Sequence, residues 1–185
     1  MNDQGAEVQG GVAQIEWLAG LFPILPPRTK RVTLMFTDIQ GFTACAAAEG
    51  DRAAVRLLRR HDAAVLPAIR EHGGRIVKRL GDGLMVAFAL PAAAVTAALA
   101  MRRAAGAAVR LRIGIHAGEA RTRAGDLIGH DVNVASRIAD RAPGGAILVS
   151  DAVREADGVG GSFRATQPLV MAGRKPIRLF LVQEG

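Results

Sequence analysis

The feature that most constrains the fold of this chain is the turn Gly81-Asp82-Gly83, which separates two apolar runs at residues 75–80 and 84–89. An Asp-Gly pair between two such runs predicts a β-hairpin, because glycine adopts the positive φ angle that tight hairpin turns require. The sequence therefore predicts two antiparallel strands joined by a tip that carries Asp82.

The segments around this hairpin alternate between strand and helix patterns. Residues 32–39 and 109–116 are typical of buried strands, 51–72 carries apolar side chains at helical spacing, and 91–106 is alanine-rich with proline in its first turn. The order β-α-β-β-α-β indicates a ferredoxin-like sheet of the palm type in an α+β domain. The predicted C-terminal α/β additions are a helix at 131–141, a strand at 146–149, a short helix from Asp151, and a strand pair within 169–182 broken at 173–176.

A proline-rich stretch at residues 22–27 divides the chain, because proline cannot continue a helix. We predict an N-terminal segment and linker at 1–29, followed by one domain at 30–185. Residues 12–22 are predicted to form a short apolar helix, which needs a surface to pack on, either the domain or a second subunit.

Charge and cysteine content narrow the class of protein. The first 27 residues carry three acidic and no basic side chains, and the rest carries 24 basic and 14 acidic ones, a net charge of +10. A basic domain suits binding to nucleic acid, an anionic membrane or a nucleoside triphosphate, although the charge can also serve only to keep the protein soluble.

The single Cys45 excludes an internal disulfide and a thiolate metal cage. No apolar run approaches the ~20 residues of a membrane span and no secretory leader is evident, so we expect a cytoplasmic protein without a membrane segment.

Two aspartates, Asp38 and Asp82, are candidates for a metal site. Asp38 ends the first predicted strand and Asp82 lies at the hairpin tip, 44 positions later. These strands are neighbours in a ferredoxin-like sheet, so both carboxylates would meet at one edge, and paired hard oxygen ligands suit Mg²⁺. The alternative is purely structural, with Asp38 capping a helix and Asp82 serving as a turn residue.

Two further stretches carry groups suited to phosphate and ribose. The loop from Ile39 through Gly41, Phe42 and Thr43 opens a helix, where backbone N–H groups favour phosphate. Asn133 and Arg137 are four positions apart, so they project from the same face of the predicted helix. Arginine offers a fork of donors to phosphate, and asparagine can bind a hydroxyl as donor and acceptor. A solvent-facing polar helix explains the same pair without a ligand.

Four motifs together carry a resemblance to a known family. They are Phe36-Thr37-Asp38-Ile39-Gln40-Gly41-Phe42-Thr43, Lys78-Arg79-Leu80-Gly81-Asp82-Gly83, Arg112-Ile113-Gly114-Ile115-His116-Ala117-Gly118 and Val132-Asn133-Val134-Ala135-Ser136-Arg137. In this order, the motifs resemble the catalytic domain of class III nucleotidyl cyclases over residues 30–182. The resemblance implies an adenylate cyclase, which converts ATP to 3′,5′-cyclic AMP and pyrophosphate.

The resemblance also implies roles for single residues in metal binding and catalysis. Asp38, Asp82 and the carbonyl of Ile39 match the positions that hold two divalent ions, Mg²⁺ or Mn²⁺, in that family. Asn133 matches the residue that orients the ribose, and Arg137 matches the one that neutralises charge on the α-phosphate.

Substrate selection is implied by another set of positions. Lys78 and Asp126 match the purine-selecting pair, and their combination favours adenine over guanine. The family places a basic residue on the triphosphate near the C-terminus, often lysine directly before the glycine of the last hairpin. Ala172 occupies that position here, so Arg174 or Lys175 is the candidate, with Arg174 the better match.

The family resemblance implies a head-to-tail homodimer with two sites shared across its interface. The alternative is a catalytically inactive cyclase-like module that binds nucleotide or dimerises in a regulatory role. Nucleic-acid binding on such a sheet would need exposed aromatic side chains for stacking, but tyrosine is absent and aromatics make up 4% of the chain. We therefore expect no nucleic-acid partner.

Overall fold

The computed structural model describes residues 29–183 of the chain. The predicted helix at 12–22 and most of the predicted N-terminal segment lie outside these residues. Within the described part, an eight-stranded sheet is combined with five helices in an α+β fold. This confirms the predicted fold class.

The elements follow the predicted order, with two short strands, Asp126–Ile128 and Phe163–Ala165, that the sequence pattern did not reveal. The strands are β1 (Thr29–Ile39), β2 (Arg75–Leu80), β3 (Gly83–Phe88), β4 (Leu111–Arg123), β5 (Asp126–Ile128), β6 (Ala146–Ser150), β7 (Phe163–Ala165) and β8 (Leu179–Val182). The helices are α1 (Phe42–Glu49), α2 (Asp51–Glu71), α3 (Pro91–Ala105), α4 (His130–Arg141) and α5 (Asp151–Arg154).

The sheet has the strand order β2-β3-β1-β4-β6-β8-β7, and β5 pairs with β4. The predicted hairpin is confirmed, because β2 and β3 pair antiparallel on either side of Gly81 and Asp82. The order β2-β3-β1-β4 is that of a ferredoxin-like sheet. All strand pairs are antiparallel except β4 with β6, and β1 lies between β3 and β4 at the centre.

Alternating side chains on β1 bury both faces of the sheet. Met35 and Ile39 belong to the larger core beneath α2 and α3, whereas Leu34 and Phe36 belong to a second core beneath α4. This follows from the period of two along a strand. Asp38 has the same parity as Phe36, so its side chain is on the α4 face.

Two predicted strand assignments were wrong, one in its extent and one in its pairing. The strand predicted at 109–116 continues to Arg123, because its backbone keeps pairing with β1 as far as Thr29 after the apolar pattern ends. The strand pair predicted within 169–182 is a single bridge between Leu169 and Ile177, and β8 pairs with β6 and β7 instead.

No helix among the described residues is long and apolar enough to cross a membrane.

Candidate active site

Asp82 lies against the end of β1, next to Asp38, because β1 and the β2–β3 hairpin are neighbours in the sheet as predicted. Asp38 is near the end of β1, and the next main-chain N–H, that of Ile39, donates a hydrogen bond of 3.1 Å to Asp82 Oδ2. Both aspartates are half-buried. The turn that carries Asp82 is therefore bonded to the residue that follows Asp38.

The close approach of this turn to β1 depends on Gly83. A Cβ atom on Gly83 would lie 2.0 Å from the carbonyl oxygen of Thr37. Beside it, the Leu84 N–H donates to Thr37 Oγ1 at 3.1 Å. Any larger residue at position 83 would push the turn outward and separate the two carboxylates.

The donor set at this edge suits a hard divalent cation. Two carboxylates and the neighbouring carbonyl of Ile39 supply oxygen ligands only, which Mg²⁺ and Mn²⁺ prefer. Among the described residues, no cluster of three or more His, Cys, Asp or Glu side chains is placed to hold a metal.

Arg112 occupies this edge as well, and sequence reasoning missed it. It lies directly opposite Asp38 in the β1–β4 register and its guanidinium forms an ion pair with the Asp38 carboxylate. Its Nε is buried and has no hydrogen-bond partner among the described residues. Only the register of β1 and β4 could have revealed this pair, because the two residues are 74 positions apart in sequence.

The loop that follows Asp38 leads directly into α1. This helix begins at Phe42 after Gly41, and no side chain caps its first turn. Phe42 packs against the larger core, whereas Thr43 is exposed. An uncapped first turn leaves backbone N–H groups available to an anion.

Lys78 and Asp126 form an ion pair between two strands of the sheet. Lys78 Nζ lies 2.6 Å from Asp126 Oδ2, joining the edge strand β2 to β5. The hydrogen bond from Lys78 holds the pKa of the Asp126 carboxyl below its usual value, against a small opposing effect of burial. Both side chains remain partly exposed, so a ligand can reach them.

Asn133 and Arg137 lie on the outer face of α4. The opposite face buries Val134, Ala135 and Ile138 in the two cores, which leaves both polar side chains exposed. Arg137 lines a cleft of about 520 Å³ together with Arg174.

The ionisable side chains that line this cleft are mostly basic, beside an apolar wall formed by residues 169–172. His130, Asp140 and Arg141 contribute to it beside Arg137 and Arg174. Lys175 is exposed but does not line this cleft. The structure thus brings Arg174, the better of the two C-terminal candidates, to the same cavity as Arg137.

The predicted site residues fall into two groups. One is the carboxylate edge, formed by Asp38, Asp82 and the loop before α1. The other is formed by the outer face of α4 with Arg174, and by the Lys78–Asp126 pair. Among the described residues, no hydrogen bond or ion pair joins Asn133 or Arg137 to either metal-candidate aspartate.

Comparison with known proteins finds a matching family model and several related sequences. A family model described as "Adenylate and Guanylate cyclase catalytic domain" matches residues 24–184. A pH-sensitive adenylate cyclase of Mycobacterium tuberculosis is 34% identical over 86% of this chain and 42% of its own length. An adenylate cyclase of Streptomyces coelicolor is 33% identical over 68% of this chain and 34% of its own length. The chain thus spans less than half of either relative.

Solved structures share the fold. The adenylyl cyclase CyaB from P. aeruginosa superposes with a TM-score of 0.75 and 26% identity, over 87% of this chain and 97% of that one. An adenylate/guanylate cyclase/hydrolase from Silicibacter pomeroyi gives a TM-score of 0.72 and 29% identity, over 84% of this chain and 97% of that one.

Proposed function

The chain belongs to the family of adenylate and guanylate cyclase catalytic domains, and on that premise we propose that it converts ATP to 3′,5′-cyclic AMP and pyrophosphate. The observation that carries this proposal is the 2.6 Å contact between Lys78 and Asp126. This contact places a donor and an acceptor side by side, which is the combination that the Watson–Crick edge of adenine requires.

Base selection follows from the hydrogen-bonding pattern. The Lys78 ammonium donates to adenine N1, and the Asp126 carboxylate accepts from the 6-amino group. Guanine presents a donor at N1 and an acceptor at O6, so it would leave both protein groups facing like partners. Once a bound base covers these partly exposed groups, leaving them without partners is costly, so the pair disfavours guanine. Without nucleotide, the two side chains satisfy each other.

The carboxylate edge suits two divalent ions, Mg²⁺ or Mn²⁺, held by Asp38, Asp82 and the Ile39 carbonyl. When bound, such ions lower the pKa of the substrate 3′-hydroxyl and stabilise negative charge on the leaving pyrophosphate. Arg112 neutralises Asp38 in the structure described here. Its buried, unpartnered Nε supports a second role, in which the guanidinium turns to a phosphate oxygen of bound substrate. The N–H groups of Gly41, Phe42 and Thr43 add further phosphate donors.

In the reaction, a bond forms between the 3′-oxygen and the α-phosphorus as the 3′-hydroxyl gives up its proton to water. The bond from the α-phosphorus to the bridging oxygen of the β-phosphate breaks in line, and pyrophosphate leaves. Asn133 holds the ribose so that the 3′-oxygen faces the phosphorus, and Arg137 stabilises the charge that develops on the α-phosphate. Arg174, in the same cleft as Arg137, binds the outer phosphates, with Lys175 beside it in sequence.

The separation of the two groups of residues supports a site shared between two chains. One protomer contributes Asp38 and Asp82, and the other contributes Lys78, Asp126 and the outer face of α4. A head-to-tail homodimer then holds two equivalent sites, and an isolated monomer holds none that is complete.

Mixing two inactive variants tests the shared site. Asp38→Ala and Asn133→Ala should each abolish cyclic AMP formation, because each removes one group from both sites of the dimer. In an equal mixture, half of the dimers are mixed and each has one intact site, so about a quarter of the wild-type activity should return. No recovery, with both variants folded and exchanging subunits, would rule out sharing. An inactive wild type would favour the nucleotide-binding module instead.

A further inference from the structure

His116 is a buried titratable residue to which the proposed reaction gives no role. It lies on β4 with 7% of its surface exposed. Its Nδ1 is 2.8 Å from Ser150 Oγ at the end of β6, and its Nε2 is 3.7 Å from Asp131 Oδ1 on α4. The ring therefore links two strands of the sheet to the helix that carries Asn133.

These three side chains are of the types found in hydrolytic triads, but the arrangement is not catalytic. Ser150 is completely buried, so its hydroxyl cannot attack a substrate. A neutral imidazole that directs its Nε2 proton toward Asp131 leaves Nδ1 to accept a hydrogen bond from Ser150. The cluster is suited to fixing positions rather than to chemistry.

Asp131 is the residue through which this cluster acts on α4. The main-chain N–H of Glu119 donates to Asp131 Oδ2 at 2.6 Å. The carboxylate fits over Gly118, where a Cβ atom would lie 2.1 Å from the same oxygen. Asp131 is thus hydrogen-bonded to β4 on one side and lies against the His116 ring on the other.

The consequence for the active site follows from helix geometry. Asp131 lies in the first turn of α4, two residues before Asn133, and the preceding Gly129 provides no side-chain cap. Helices without a cap fray at their first turn. The contacts of Asp131 therefore determine where the first turn lies on the sheet, and with it where Asn133 projects.

We propose that Asp131 and His116 are positioning residues that fix the first turn of α4 against β4, and so place Asn133 on the substrate ribose. The role at the ribose rests on the proposed function, whereas the fixing of α4 does not.

Asp131→Ala tests the proposal by kinetics. Because Asn133 acts in the transition state, kcat should fall about tenfold while KM for ATP changes less than about threefold. Gly118→Ala should reproduce this defect with Asp131 still present, because the new methyl group displaces the carboxylate. Glu155→Ala is the matched control: it removes a carboxylate that pairs with Arg178 at 2.7 Å and forms no hydrogen bond or ion pair with α4 among the described residues, so kcat should stay unchanged. Normal kcat in both test variants would overturn the positioning role.

Two further readouts separate positioning from general destabilisation. Mixed with Asp38→Ala, the Asp131→Ala variant should recover activity above that of either variant alone, whereas mixed with Asn133→Ala it should not. Recovery with Asn133→Ala would assign Asp131 to the other half of the site and overturn the proposal.

Amide hydrogen exchange at residues 130–135 should accelerate in Asp131→Ala whether or not the chain is active. Unchanged exchange would overturn the fixing of α4, and inactive wild type with accelerated exchange would overturn only the ribose role.

Discussion

The main-chain N–H of Ile39 donates a 3.1 Å hydrogen bond to the carboxylate of Asp82. This bond joins the end of β1 to the β2–β3 turn, and it holds Asp82 beside Asp38. The hydrogen bond needs only an acceptor oxygen on residue 82. Binding of a cation also needs the negative charge of the carboxylate.

Substitutions of Asp82 should separate these two requirements. Asp82→Asn keeps an oxygen acceptor for Ile39, so the free energy of unfolding should stay close to that of the wild type, while cyclase activity should fall by about 10²–10³-fold. Asp82→Ala should lose the same activity and also about 1 kcal/mol of stability. Urea unfolding and cyclic AMP formation measure the two effects. Comparable stability of the two variants would contradict the role of the hydrogen bond.

Reversal of the donor and acceptor pattern should reverse the base preference. The double variant Lys78→Glu/Asp126→Asn presents an acceptor to guanine N1–H and an amide donor to O6. The ratio of kcat/KM for GTP to that for ATP should rise by about 10²-fold or more. Lys78→Glu alone should bind both nucleotides poorly, because two carboxylates then face each other. An unchanged ratio in the double variant would show that the pair does not select the base.

Acidification should destabilise the fold through His116. Burial lowers the pKa of His116 below its ordinary value of 6.5, although the charges of Asp131 and Asp151 oppose the shift and His130 adds to it. The folded state therefore favours the neutral ring, so this stability is complete above pH 6.5 and is lost as the pH falls through the lower, folded-state pKa.

Urea unfolding of wild type and His116→Gln at several pH values between about 7.5 and 5 measures this effect. The variant should lose less stability over that range than the wild type does. Equal losses in the two proteins would assign the pH dependence to other groups.

The β4–β5 turn should accept a stabilising substitution. Ala124 has a φ of 48°, in the left-handed region, and Gly125 follows with 83°. Asn-Gly is the preferred pair for such a turn, and asparagine tolerates this conformation better than alanine. Ala124→Asn should therefore stabilise the fold by about 0.5–1 kcal/mol. Ala124→Val, a β-branched residue at the same φ, should instead destabilise it, and a stability order of valine above asparagine would contradict this account.

Much of the architecture could be predicted from local signals. The Asp-Gly turn predicted the hairpin, and the element order predicted the ferredoxin-like sheet. That topology was enough to bring Asp38 and Asp82 together. Strands β5 and β7 were missed because three residues are too few to show a periodic apolar pattern.

Contacts between distant residues were harder to predict. Lys78 and Asp126 are 48 positions apart, and only the family resemblance singled them out as a pair. Arg112 escaped notice because its place opposite Asp38 depends on the β1–β4 register. Asp131 was missed because its partners are a backbone amide and a buried histidine on another element, which no spacing along the chain reveals.

The most direct test of the central claim is nucleotide cyclisation by the purified chain. ATP and GTP should be supplied together at equal concentration with Mg²⁺ or Mn²⁺, and the cyclic products and pyrophosphate separated and quantified. The account predicts cyclic AMP with an equal amount of pyrophosphate, little cyclic GMP, and no product in the Asp38→Ala variant. Cyclic GMP as the main product would contradict the assignment of Lys78 and Asp126, and absence of both products from a folded, dimeric chain would contradict the enzyme itself.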